Sequence, residues 1–142
     1  CIGMKNMEKV FLDANVVIDF LCERGIFYMP AAKIVVKAYN KEIDLCCSSL
    51  TFAAASYLMG RSKTDTETVF QKLASFCTLF TPTLVDQAVV MEALHSDFTD
   101  FEDAMQYFSA SHYGADVIIT RNKEDFAKSQ ILCLEPIEYL NK

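Results

Sequence analysis

A chain of 142 residues suits a single domain, long enough to bury roughly 68–70% of the surface that its unfolded form exposes. Hydrophobic residues make up 52% and charged residues 23%, which excludes a disordered chain, and charge interrupts every apolar run too early for it to span a bilayer. The net charge of −6, from 13 basic and 19 acidic residues, excludes tight nucleic-acid binding by phosphate neutralisation alone, yet permits acids gathered around a cation that reverses the local sign.

The opening CIGMKNMEK lacks a basic stretch followed by a long apolar one, so it does not read as a signal peptide. Residues 1–8 are left out of the fold as a flexible start. KVFLDA (9–14) is a short apolar run closed by a polar turn, the mark of a buried strand. Apolar spacing from Val16 to Glu23 predicts a helix, and Pro30 predicts the first turn of another that runs to about Asn40. EIDLCCSS (42–49) predicts a second strand, followed by a helix from about Leu50 to Met59 that Gly60 closes.

Thr64-Asp65-Thr66-Glu67 has the spacing of a capping box and opens a helix through about Phe76. TLFTP (78–82) predicts a third strand, after which Thr83 and Asp86 start a helix. Thr99-Asp100-Phe101-Glu102 repeats the capping-box spacing for a helix to about Tyr113, ended by Gly114. ADVIIT (115–120) is the clearest buried strand, and a helical turn over Lys123 to Lys128 leads to a last strand, ILCLEP (131–136). Strands separated by helices, with no repeat or linker, predict one α/β domain over 1–142: three layers, α/β/α, around a mostly parallel sheet. Ligands in such folds bind beyond the carboxyl ends of the strands.

Polar residues cluster at those ends. The first strand delivers Asp13 and Asn15, the second Ser48, Ser49 and Thr51, and the fourth Thr120, Asn122 and Asp125. The helix before the fourth strand carries Asp100 and Asp103 on one face of its first turn. Parallel topology brings Asp13, Asp103 and Asp125 together from distant parts of the chain. Carboxylates so gathered raise one another's pKa unless a cation compensates. Oxygen-only ligands suit Mg²⁺ or Mn²⁺, which keep waters and accept phosphate oxygens. Thr51 and Thr120 are placed to hold a water or a phosphate oxygen. Plainer roles compete: Asp100 as a partner of the helix dipole, Asn122 as an N-cap with Asp125 three residues on. Asp13 is expected to cap nothing, since Asn15 can serve the next helix. His95 and His112 follow no strand and read as surface or packing residues.

Of the six cysteines, five sit in apolar segments and none forms a C-x-x-C pair. They read as small buried hydrophobes in a reducing cytoplasm, with a zinc site the weaker alternative.

At this point the chain resembles the PIN-domain family. FLDANVVIDFL (11–21) looks like the family's opening strand and helix, SSLTFAAASYLM (48–59) like its second junction, FEDAMQYFSA (101–110) like its central acidic helix, and ADVIITRNKEDF (115–126) like its T-R-N-x-x-D-F segment. LEPIEYLNK (134–142) matches the usual tail. Any one motif is weak, but four in order are strong. The resemblance implies an endoribonuclease dependent on Mg²⁺ or Mn²⁺, commonly the VapC-type toxin of a toxin–antitoxin pair. Such a toxin is usually a homodimer, acts on RNA and is inhibited by a small antitoxin protein.

By position Asp13 matches the family's first acid and Asp103 its third, while Asn122 and Asp125 lie where the fourth is supplied. Asn15, Thr51 and Thr120 match the accompanying polar residues, and Asp100 lies beside them as a further possible ligand. Arg121 and Lys123 flank Asn122 and are the candidates for phosphate contact. One departure stands out. The family commonly places a Glu early in the helix after the second strand, and this chain has Ala54 there. That loss motivates a second reading, a degenerate PIN domain that binds RNA or a protein without cutting. A phosphatase of the haloacid-dehalogenase type needs an Asp two positions after the first; Asn15 stands there, so its acid is missing.

Overall fold

The computed structural model describes residues 7–142. Five strands form one sheet in the order β3-β2-β1-β4-β5, with every neighbouring pair parallel. They are β1 (Lys9–Leu12), β2 (Asp44–Ser48), β3 (Phe80–Thr83), β4 (Val117–Ile119) and β5 (Leu132–Leu134). Each is shorter than its apolar run in the sequence. Pro82 fits β3 because that strand is an edge, where the missing N–H breaks no ladder.

Among the described residues seven α-helices cover the two faces: α1 (Ala14–Leu21), α2 (Gly25–Tyr39), α3 (Ser49–Arg61), α4 (Thr66–Phe76), α5 (Gln87–Leu94), α6 (Phe101–Tyr113) and α7 (Pro136–Leu140). Alternation along β1 divides the core. Val10 and Leu12 pack with Leu45, Cys47, Val117 and Ile119 beneath residues of α1, α2, α3, α4 and α7. Phe11 points the other way, with Cys46 and Ile118, beneath Tyr107 and Ala110 of α6 and Phe126. The predicted three-layer α/β/α architecture is therefore the one observed, with a wholly parallel sheet.

Several predicted boundaries move. α2 begins at Gly25, so Pro30 lies inside it rather than in its first turn. The carbonyl that Pro30 leaves without a donor belongs to Ile26, an 83% exposed residue open to water. α3 continues through Gly60 to Arg61. Neither supposed capping box forms: Asp65 and Asp100, not Thr64 and Thr99, are the N-caps and accept from the N3 amides of Thr68 and Asp103. The tail forms α7, which was not anticipated; Glu135 and Glu138 close a capping box there, with Pro136 at its first position.

Gly114 ends α6 as expected, at φ 84°, a left-handed cap suited to glycine. Of the start assigned to residues 1–8, positions 1–6 lie outside the described residues. Glu8 belongs to the fold, since its carboxylate accepts from the Tyr139 hydroxyl at 2.6 Å and from Lys142 at 3.2 Å.

Candidate metal centre

Strand order reverses at β1, with β2 on one side and β4 on the other, and such a switch point opens a crevice between the diverging connections. Asp13 and Thr120 stand at that point. They follow Leu12 and Ile119, which pair across the ladder. The Asp13 amide donates to the Ile119 carbonyl at 2.9 Å, carrying the ladder one step past the strand. The Thr120 hydroxyl donates to Asp13 Oδ2 at 2.9 Å, and the Ala14 amide donates to Oδ1 at 2.8 Å. Asp13 is thus the N-cap of α1, contrary to the expectation that Asn15 would serve; Asn15 lies within the helix. Both oxygens are held, so the carboxylate is fixed in direction before any ligand arrives.

Burial pushes the Asp13 carboxyl up from its ordinary value, against the lowering effect of the Thr120 and Ala14 bonds, and Asp125 and Glu102 push further in the same direction. Asp103 is pushed up to about 7, first by burial and then by the charges of Asp100, Asp13, Asp125 and Glu102. The fold therefore places Asp13, Asp100, Asp125 and Glu102 within electrostatic range of Asp103, with Glu102 the one not singled out from the sequence. Among the described residues none of these five acids has a basic ion-pair partner. As the side chains stand, no three carboxylates, imidazoles or thiols of the described residues converge closely enough to hold an ion.

The accompanying polar residues fall into place unevenly. Thr120 also accepts from the Asn122 amide at 3.0 Å, shaping the loop that presents Asp125. Asn122 sits at the start of the 3-10 turn Lys123–Phe126 but caps it with no side-chain bond, so the plainer role proposed for it is not filled. Asp100 does cap α6 and lies in the acidic cluster as well. Thr51, in the first turn of α3, is buried and meets Gln106 of α6.

The two candidate phosphate contacts have partners inside the chain. Arg121 grips Asp19 through Nε at 2.8 Å and Nη2 at 3.2 Å, and stacks 3.9 Å over the Phe27 ring. Lys123 pairs with Glu138 at 2.9 Å on the surface. Sequence reasoning passed over Asp19, although an acid inside the apolar stretch VVIDFL signals a buried partner. It also passed over Glu102 and Gln106, each placed by α6. His95 and His112 are exposed as expected, His112 against Glu92. Cys22, Cys46, Cys47, Cys77 and Cys133 are free thiols, and burial raises the pKa of Cys46 and Cys47, in keeping with inert core residues; Cys77 is exposed instead.

An oxygen-rich set of acids without cationic partners has the donor chemistry that a hard divalent ion takes. Known proteins agree with the architecture. The chain is similar to Ribonuclease VapC1 of Aquifex aeolicus (strain VF5), 25% identical over 127 residues that cover 86% of this chain and 87% of that one. It superposes on VapBC2 from Rickettsia felis, solved bound to a DNA fragment from its promoter, with a TM-score of 0.64 at 18% identity, covering 89% of this chain and 97% of the other. PAE2754 from Pyrobaculum aerophilum matches with a TM-score of 0.60 at 15% identity, over 99% of this chain and 94% of that one. The family profile described as the PIN domain matches residues 9–124; the chain belongs to the PIN-domain family, and its likeness runs to the VapC-type members.

Proposed function

We propose that this protein is a divalent-metal-dependent endoribonuclease, the toxin of a toxin–antitoxin pair. The observation that carries the reading is the gathering of acids around Asp103 with no basic ion-pair partner among the described residues; burial and those charges push its carboxyl up to about 7. Asp13, fixed by Thr120, is the anchor of the cation site. Asp103 and Asp125 complete it from α6 and the 3-10 turn, with Asp100 beside them. A divalent ion such as Mg²⁺ or Mn²⁺ would be held by these acids and, when bound, would supply polarisation of a phosphodiester and activation of a water. Thr120 holds Asp13 and the Asn122 loop in place, Thr51 backs the site through Gln106, and Asn122 and Asn15 are the candidates to contact water, phosphate or substrate.

Arg121 serves mainly to hold Asp19, while Lys123, paired only at the surface, is free to exchange Glu138 for a phosphate. The relative named as a ribonuclease and the neighbour named as VapBC2 support both the activity and a small antitoxin partner. A homodimer belongs to the same reading, with exposed Ile26, Met29 and Ile137 offering apolar surface for association. Among the described residues no helix is long and apolar enough to cross a membrane. The free thiols are consistent with a reducing cytoplasm.

Ala54, where an acid is commonly found, favours one second reading: a PIN domain that binds RNA without cutting it. Cleavage of a mixed RNA pool with Mn²⁺ separates the two. Asp13→Asn and Asp103→Asn are expected to lower Mn²⁺-dependent cleavage about a hundredfold or more, since ligands to the ion outweigh the residues that support them. Cutting that survives both substitutions, or that persists in EDTA, contradicts the enzyme; RNA binding without cutting supports the second reading.

A further inference from the structure

Ala54 leaves the site one carboxylate short of the pattern that the sequence resembles. A different polar side chain lies at the inner wall of the site. Gln106 is 1% exposed and sits one turn along α6 from Asp103, on the same face. Its Nε2 donates to the Thr51 hydroxyl over a long 3.5 Å, while its Oε1 is buried without a hydrogen-bond partner. Exchanging the amide atoms does not relieve this. Oε1 would accept from Thr51 and Nε2 would be orphaned instead. An unpaired buried amide is a standing cost to the fold, and a leucine fills similar space without it.

Its place gives that cost a purpose. α6 runs antiparallel to the strands, since Tyr113 at its end bonds Asp44 at the start of β2 and Asp103 at its start feels Asp13 beyond the end of β1. Ser109, three residues past Gln106, meets Thr83 at the end of β3. Thr51 belongs to the first turn of α3, which begins where β2 ends beside β1. Gln106 therefore closes the acidic site between α3 and α6, just inside Asp103.

We propose that Gln106 is a neutral oxygen donor at the inner wall of the cation site, its amide oxygen accepting a hydrogen bond from the hydration shell of the cation while Thr51 holds the amide. This rests on the cation-binding reading above. Mg²⁺ and Mn²⁺ retain waters that need acceptors around them, and an amide supplies one without adding charge to acids that already repel one another.

The test is Mn²⁺ affinity, read from the free-ion paramagnetic resonance signal, with folding checked by thermal melting. Wild type, Gln106→Leu, Gln106→Glu and Asp13→Asn are compared. Gln106→Leu is expected to weaken Mn²⁺ binding on the order of tenfold while melting, free of cation, at the wild-type temperature or above it. Gln106→Glu is expected to bind Mn²⁺ more tightly than wild type. A folded Gln106→Leu protein with unchanged affinity overturns the proposal. Should Gln106→Leu fail to fold, Gln106→Glu decides: tighter binding supports the proposal, equal or weaker binding overturns it. Wild type that binds no Mn²⁺ overturns the cation site and this role together. Binding lost in Asp13→Asn but unaltered in Gln106→Leu overturns only the role of Gln106.

Discussion

Asp103 carries much of the electrostatic tension of the molecule, and it makes that tension measurable. Its carboxyl keeps its proton to about 7 against an ordinary 3.8, so the folded chain binds this proton more tightly than the unfolded one. Stability from this source is complete below the ordinary value and is lost as pH rises through about 7. Asp13, also raised, acts in the same direction. Without divalent cation the melting temperature is expected to fall between pH 5 and pH 8. Asp103→Asn is expected to flatten that slope and to stabilise the protein at pH 8, on the order of 1 kcal/mol after discounting for solvent screening. A slope that is unchanged in the variant contradicts the assignment.

Asp19 shows the other use of a buried acid. It is 1% exposed and bound by Arg121, with Arg24 farther off at 3.7 Å. Arg121→Met is expected to destabilise the fold by about 2–4 kcal/mol in urea unfolding, because it strips a buried charge of its main partner. Were Arg121 chiefly a phosphate contact, the same change would weaken RNA binding and leave stability intact. The acids at strand ends were legible in the sequence because their position follows from local pattern. The Asp19–Arg121 pair joins residues 102 apart; the apolar stretch around Asp19 signals that it needs a partner, and no local pattern says which.

At the scale of elements, the strands and the order of helices were readable from apolar periodicity and turn residues, and the ends were not. The shifts at α4 and α6 have one cause. Thr-Asp offers two candidate caps in succession, and aspartate takes the role because its carboxylate accepts from the N3 amide and also faces the positive helix end. The missed α7 is only five residues long, too short to show helical periodicity. Asp100 now has two functions that substitution can part. Asp100→Asn keeps the cap and removes the charge beside Asp103, so stability at pH 8 is expected to hold or rise. Asp100→Ala removes the cap and is expected to cost about 1 kcal/mol by chemical denaturation. Equal effects from both variants would show that the cap is idle.

The whole molecule places its chemistry by topology. β1 lies at the middle of the sheet, its side chains divided between two cores, and its end is where the strand order reverses. Acids from the start of α1, the first turn of α6 and the turn after β4 come within electrostatic range of one another there, although no two of these segments are neighbours in the chain. Parallel pairing made the placement of these segments at one end of the sheet legible in the sequence. The orphaned amide of Gln106 was not, since it depends on how α3 and α6 pack across the end of the sheet. The central claim is that this meeting place seats a divalent ion. Its most direct test is anomalous scattering from crystals grown with Mn²⁺. The account predicts one strong peak with carboxylate oxygens of Asp13 and Asp103 roughly 2.0–2.3 Å away and Asp125 drawn toward it. No peak there at saturating Mn²⁺, or one only at a surface pair such as Glu92 and His112, would contradict it.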